Sequence, residues 1–96
     1  YFEAQLNLGT ALGTINRPEE AVQQFKRALE LKPKDARIYF NLAMTYEMLE
    51  RGDEAIASAQ TALELARSQG QTALAQQVEA WLNSEPSGQT NGKGGH

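Results

Sequence analysis

The chain has 96 residues, 41% hydrophobic and 22% charged, with a net charge of -3 and a pI near 5.1, as expected of one ordinary globular domain. Its nine basic residues are scattered rather than clustered, which argues against a nucleic-acid footprint, and zero cysteines exclude a disulfide framework or a thiolate site. No apolar run approaches the roughly 18 residues of a transmembrane helix, so neither nucleic acid nor membrane is an expected partner.

In chain order, Ala4, Leu8, Ala11, Leu12 and Ile15 recur at steps of three and four and predict an amphipathic helix. The turn NRP follows. Pro18 suits the first turn of the next helix, where its missing N–H is no loss, and Glu19 and Glu20 suit the positive end of the helix dipole. That helix carries Ala21, Val22, Phe25, Ala28 and Leu29 on one face. KPKD closes it, with Pro33 just beyond the helix and Asp35 placed to cap the next one. A third helix aligns Tyr39, Leu42, Ala43 and Tyr46; after the turn ERG, a fourth aligns Ala55, Ile56, Ala59, Ala62 and Leu63. No proline stands where KPKD stood, so ALELARSQG is expected to run about one turn further before Gly70 ends it as a left-handed C-cap. A last helix, in GQTALAQQVEAWL, groups Leu74, Val78, Trp81 and Leu82. From Ser84 the sequence SEPSGQTNGKGGH has no aliphatic or aromatic residue and is expected to be disordered.

The second half of this pattern repeats the first. ALEL occurs at Ala28 and again at Ala62, 34 positions on, and the same shift pairs Asn7 with Asn41, Leu8 with Leu42, Arg17 with Arg51, Glu20 with Glu54 and Ala21 with Ala55. Gly9/Ala43, Ile15/Leu49 and Val22/Ile56 are conservative pairs in the same register, so size and polarity recur as well as identity. Two helices per 34 residues, with NLG, Ala21, Phe25, Ala28 and Pro33 in unit one and Tyr39, NLA, Tyr46, Ala55 and Ala62 in unit two, resemble the tetratricopeptide repeat family. The resemblance covers residues 2 to about 68. It implies an all-α fold, an α-solenoid of antiparallel helix-turn-helix repeats forming a fragment of a right-handed superhelix. The expected units are a repeat at 2–35, a repeat at 36–69, a capping helix at 70–83 and the tail at 84–96. Gln5, Leu12 and Ala59 depart from the family's larger residues. The gap expected near Ala59 must be filled from elsewhere. Trp81 can fill it as a core anchor, or can serve as an exposed interaction residue.

In the family, the first helix of each unit lines a concave surface that takes extended peptides or helices. Here Arg37, Phe40, Met44 and Met48 form a strip, apolar in its last three members, beside the core strip of Tyr39, Leu42, Ala43 and Tyr46. A helix packed on one core needs one apolar face, so the surplus is either a partner surface or packing against neighbouring helices. Asn7 and Asn41 occupy the position that often hydrogen-bonds a bound peptide backbone in the family, or are simply common there. Thr10 stands in the same lining in unit one. Of the positions used by the family's carboxylate clamp, Leu6, Thr10, Asn41, Gln71 and a residue near Ala75, only Asn41 matches, so an apolar or mixed ligand is expected.

No enzyme, cofactor or metal site is expected. His96, the one histidine, ends the tail, and the carboxylates sit mainly at helix ends and exposed faces. The expected function is a non-enzymatic protein-interaction scaffold with a protein or peptide partner, the peptide-binding residues being Asn7, Thr10, Arg37, Phe40, Asn41, Met44 and Met48. The alternative is self-association or docking within a larger protein, with Phe2, Leu6 and Leu12 covered by another copy. YFEAQLNLG lacks a signal peptide's n-region and cleavage site. Because it starts without methionine, the chain is expected to be part of a longer protein, and a reducing cytoplasm is compatible with its lack of cysteine.

Overall fold

The computed structural model describes residues 17–84. They form four helices and no strand: α1 (Pro18–Leu31), α2 (Ala36–Met48), α3 (Gly52–Ser68) and α4 (Thr72–Ser84). The helix expected before Arg17 and the tail expected from Ser84 lie outside the described residues, except Ser84 itself, which is the last residue of α4. Short turns fold consecutive helices back on one another, and α2 packs between α1 and α3, and α3 between α2 and α4.

Local chemistry fixes the boundaries. Pro18 opens α1, with Glu19 and Glu20 in its first turn. Glu20 pairs with Arg17, and the same pairing recurs between Arg51 and Glu54 at the start of α3. Asp35 caps α2, its Oδ1 accepting from the Arg37 N–H at 2.9 Å. The ends of α2 and α3 share one hydrogen-bond pattern. Arg51 N–H donates to Tyr46 O at 2.9 Å and Glu50 N–H to Glu47 O at 2.9 Å; Gln71 N–H donates to Ala66 O at 2.8 Å and Gly70 N–H to Arg67 O at 3.2 Å. This motif requires a left-handed residue just past the helix. Gly70 supplies it in the second case (φ 74°) and Glu50 in the first (φ 60°). Without a proline stop, α3 extends to 17 residues against the 14 of α1, the extra turn expected from ALELARSQG.

Three apolar clusters hold the helices together. The first joins Ala21, Val22, Phe25 and Ala28 of α1 to Ile38, Leu42 and Tyr46 of α2 and Ala55 of α3. Phe25 is its largest fully enclosed side chain, 2% exposed, and such burial contributes about 1.5–3 kcal/mol. The second gathers Ala43, Ala59, Ala62 and Val78, with half-buried Phe40, Leu74, Trp81 and Leu82 packed on it. The third joins Ala36, Ala66 and Ala75. Four alanines, Ala55, Ala59, Ala62 and Ala66, form the buried face of α3 and let its neighbours approach closely.

Two details differ from the pattern read in the sequence. Ile38 is fully buried, whereas Tyr39, placed on the core strip, is only half-buried. One position is a turn of about 100° on a helix, and α2 is rotated so that Ile38 meets α1 while Tyr39 lies against the second cluster. Thr45 is also buried; its hydroxyl donates to Asn41 O at 2.8 Å, which satisfies it without a partner from another helix.

Candidate functional site

The candidate surface is the strip of α2 that its core leaves uncovered. A step of four places Phe40, Met44 and Met48 one above another along the helix, with Arg37 and Asn41 on the adjoining rows. Met44 is 36% exposed and Met48 49%, two of the three large hydrophobic residues exposed among the described positions. Nothing in the sequence forces methionine there. An unbranched, polarisable thioether adapts to the shape of whatever meets it.

Phe40 is different. It is half-buried, and its ring stands edge-on to Trp81 of α4, with centroids 6.4 Å apart and planes at 86°, a favoured aromatic arrangement. Phe40 thus belongs both to the packing of α2 on α4 and to the edge of the strip. Trp81 is also half-buried and reaches the first and second clusters, including the one that contains Ala59. The core-anchor role expected for Trp81 describes this placement, while its exposed remainder adjoins the strip.

At the amino-terminal end of the strip, Arg37 is exposed and held by Asp35, Nε to Oδ1 at 3.2 Å and Nη2 to Oδ2 at 3.1 Å. Burial raises the Asp35 pKa. Hydrogen bonds from the Arg37 side chain and backbone, with the guanidinium charge, outweigh it and hold the carboxyl below its ordinary value. The cap therefore also fixes a cation at the mouth of the strip. At the other end, the Arg51 guanidinium lies 5.2 Å from the Tyr46 ring centroid, a cation–π contact that covers the carboxy-terminal turn of α2. Asn41 is half-buried between these ends. Asn7 and Thr10 lie outside the described residues.

The structure therefore brings Arg37, Phe40, Asn41, Met44 and Met48 onto one helix. The sequence offers Trp81 as a core anchor or an exposed interaction residue, and its spacing from Leu74 and Val78 puts it on the inward face of α4, but its meeting with Phe40 has no signal in the pattern. Among the described residues, no group of three His, Cys, Asp or Glu could hold a metal ion, and no helix is long and apolar enough to cross a membrane.

A family model described as tetratricopeptide repeat matches residues 6–70. The chain belongs to the tetratricopeptide repeat family. Similar curated proteins include a "Peroxisomal targeting signal receptor" of Candida glabrata, 39% identical over 64 residues covering 67% of this chain and 11% of the relative. A protein of the same name from Saccharomyces cerevisiae is 50% identical over 38 residues, 40% of this chain and 6% of the relative. "Tetratricopeptide repeat protein 36" of Caenorhabditis elegans is 35% identical over 75 residues, 75% of this chain and 42% of the relative. The chain spans less than half the length of each. Tetratricopeptide repeats are protein-interaction repeats, generally without catalysis, and the domain is a protein–protein interaction module of that kind.

Proposed function

We propose that this tetratricopeptide domain is a non-enzymatic scaffold that holds a peptide or helix of apolar or mixed character along the α2 strip. The observation that carries this is the exposure of Met44 and Met48 beside half-buried Phe40 on one helix. Exposed apolar side chains aligned on one face are what an apolar ligand would cover. Arg37, fixed by Asp35, would orient an acidic or carbonyl group of the ligand, and Asn41 would hydrogen-bond its backbone. Asn7 and Thr10 would extend the same lining. Relatives named as receptors for a targeting signal support a polypeptide ligand over a small molecule.

The test is selection of a random peptide library on the full chain, followed by rebinding to a Met44→Gln, Met48→Gln variant. Glutamine matches methionine in helix propensity, so the circular dichroism should not change. Enriched peptides carrying apolar residues that bind the native chain and leave the variant are the expected result. Equal binding to both forms, or no enrichment, would reject the strip as the binding surface.

A further inference from the structure

We propose that Met44 and Met48 are a modification site, at which a hydroperoxide oxidises both thioethers to sulfoxides and turns the α2 strip from apolar to polar without unfolding the domain. The release of an apolar ligand that follows rests on the strip being the binding surface. The oxidation itself rests only on where the sulfur lies. The chain has two methionines and no cysteine, so these two residues hold all of its sulfur and no thiol reacts first. They are 36% and 49% exposed and stand one turn apart on α2, whose buried residues, Ile38, Leu42 and Tyr46 among them, carry none.

The repeat shows why the fold should survive the change. In the 34-residue register, Met44 and Met48 pair with Thr10 and Thr14. The same two positions thus carry a hydroxyl in one unit and a thioether in the other, whereas the pair Leu8 and Leu42 is apolar in both, and Leu42 is buried. A polar group at these positions is within the repeat's own pattern, and a sulfoxide oxygen there is reached by water rather than trapped in the core.

The step is an oxygen-atom transfer. The thioether sulfur attacks the terminal oxygen of the hydroperoxide; the S–O bond forms as the O–O bond breaks. The proton on the transferred oxygen passes to the leaving oxygen, which departs as water or an alcohol. Sulfur loses two electrons and the peroxide gains them. The product is a polar, chiral side chain that holds water where an apolar ligand would have to expel it.

The experiment treats the full chain with hydrogen peroxide beside N-acetylmethionine amide as a fully exposed reference. Peptide mapping by mass spectrometry should find one oxygen on each of Met44 and Met48, gained at rates within about tenfold of the reference. Circular dichroism and the urea midpoint should not change. Under native conditions the oxidised chain should leave a phenyl column earlier than the untreated one, close to the Met44→Gln, Met48→Gln variant. Methionine sulfoxide reductases A and B together, one for each sulfoxide epimer, should restore the retention. Oxidation more than about tenfold slower than the reference, loss of helix along with the thioethers, or unchanged retention of a chain carrying both sulfoxides would overturn the proposal. Peptides enriched on the native chain should leave the oxidised one and return after reduction; peptides that leave the methionine variant yet stay on the oxidised chain would overturn the release. Peptides that never enrich would reject the strip as a binding surface, and the phenyl column then decides the oxidation site by itself.

Discussion

Helices α1 and α3 occupy the same place in successive repeats, yet fill their cores differently. In α1 the central inward position is Phe25, the largest fully enclosed side chain of the first cluster, where it meets residues of α2 and α3. In α3 it is Ala59, and the space is taken by Val78 and Trp81 of the following helix. A conserved period therefore does not mean a conserved filling. At this position α1 supplies its own bulk and α3 takes it from α4, so α4 is part of the packing of α3.

The largest expected effect comes from emptying the position that α1 fills itself. Phe25→Ala should cost about 4 kcal/mol by urea unfolding, enough to unfold much of a domain of ordinary stability. Trp81→Ala, which empties the borrowed filling, should cost less, about 2 kcal/mol, because Trp81 is only half-buried. Ala59→Phe sharpens the contrast: alone it should overpack the second cluster by about 1–3 kcal/mol. Combined with Trp81→Ala it should cost less than the sum by about 1 kcal/mol, since the new ring takes the space the indole left. Strict additivity would mean that the two residues do not share that space.

The turns offer a finer comparison. Gly70 and Glu50 hold the same left-handed position after α3 and α2. A Cβ at Gly70 would meet nothing within 4 Å, so Gly70→Ala should cost about 1 kcal/mol from backbone strain alone, while Glu50→Gly should stabilise by somewhat less. Thermal unfolding of the pair checks the opposite signs.

The smallest effect is the pH dependence of the α2 cap. The Asp35 carboxyl titrates lower in the folded chain than in the unfolded one, so its contribution is present above the unfolded value near pH 4 and is lost as pH falls through the lower folded value. Asp35→Ala should remove about 1 kcal/mol at neutral pH. Asp35→Asn, which keeps a capping oxygen, should cost less and flatten the acid limb of the stability curve.

The sequence made legible what local chemistry decides. Pro18, the Asp35 cap, the overrun of α3 to Gly70 and the inward face of α4 each follow from residues within a turn or two of where they act. The need for a filler near Ala59 was also readable, because the missing Phe25 counterpart is visible in the repeat alignment. What stayed hidden depends on the angle at which one helix meets another. The burial of Ile38 in place of Tyr39 and the split role of Phe40 are set by the rotation of α2, which a periodic pattern leaves free by a residue either way. The left-handed position in ERG was hidden too, since it falls on Glu50 while Gly52 opens α3.

The central claim is that α2 carries its core on one side and, in Met44 and Met48, exposed apolar side chains that the fold does not need on the other. Urea unfolding of the Met44→Gln, Met48→Gln variant beside Trp81→Ala tests it most directly. The methionine variant should remain within about 0.5 kcal/mol of the native chain while Trp81→Ala falls by about 2 kcal/mol. A methionine variant as unstable as Trp81→Ala would contradict the account and make the strip part of the core.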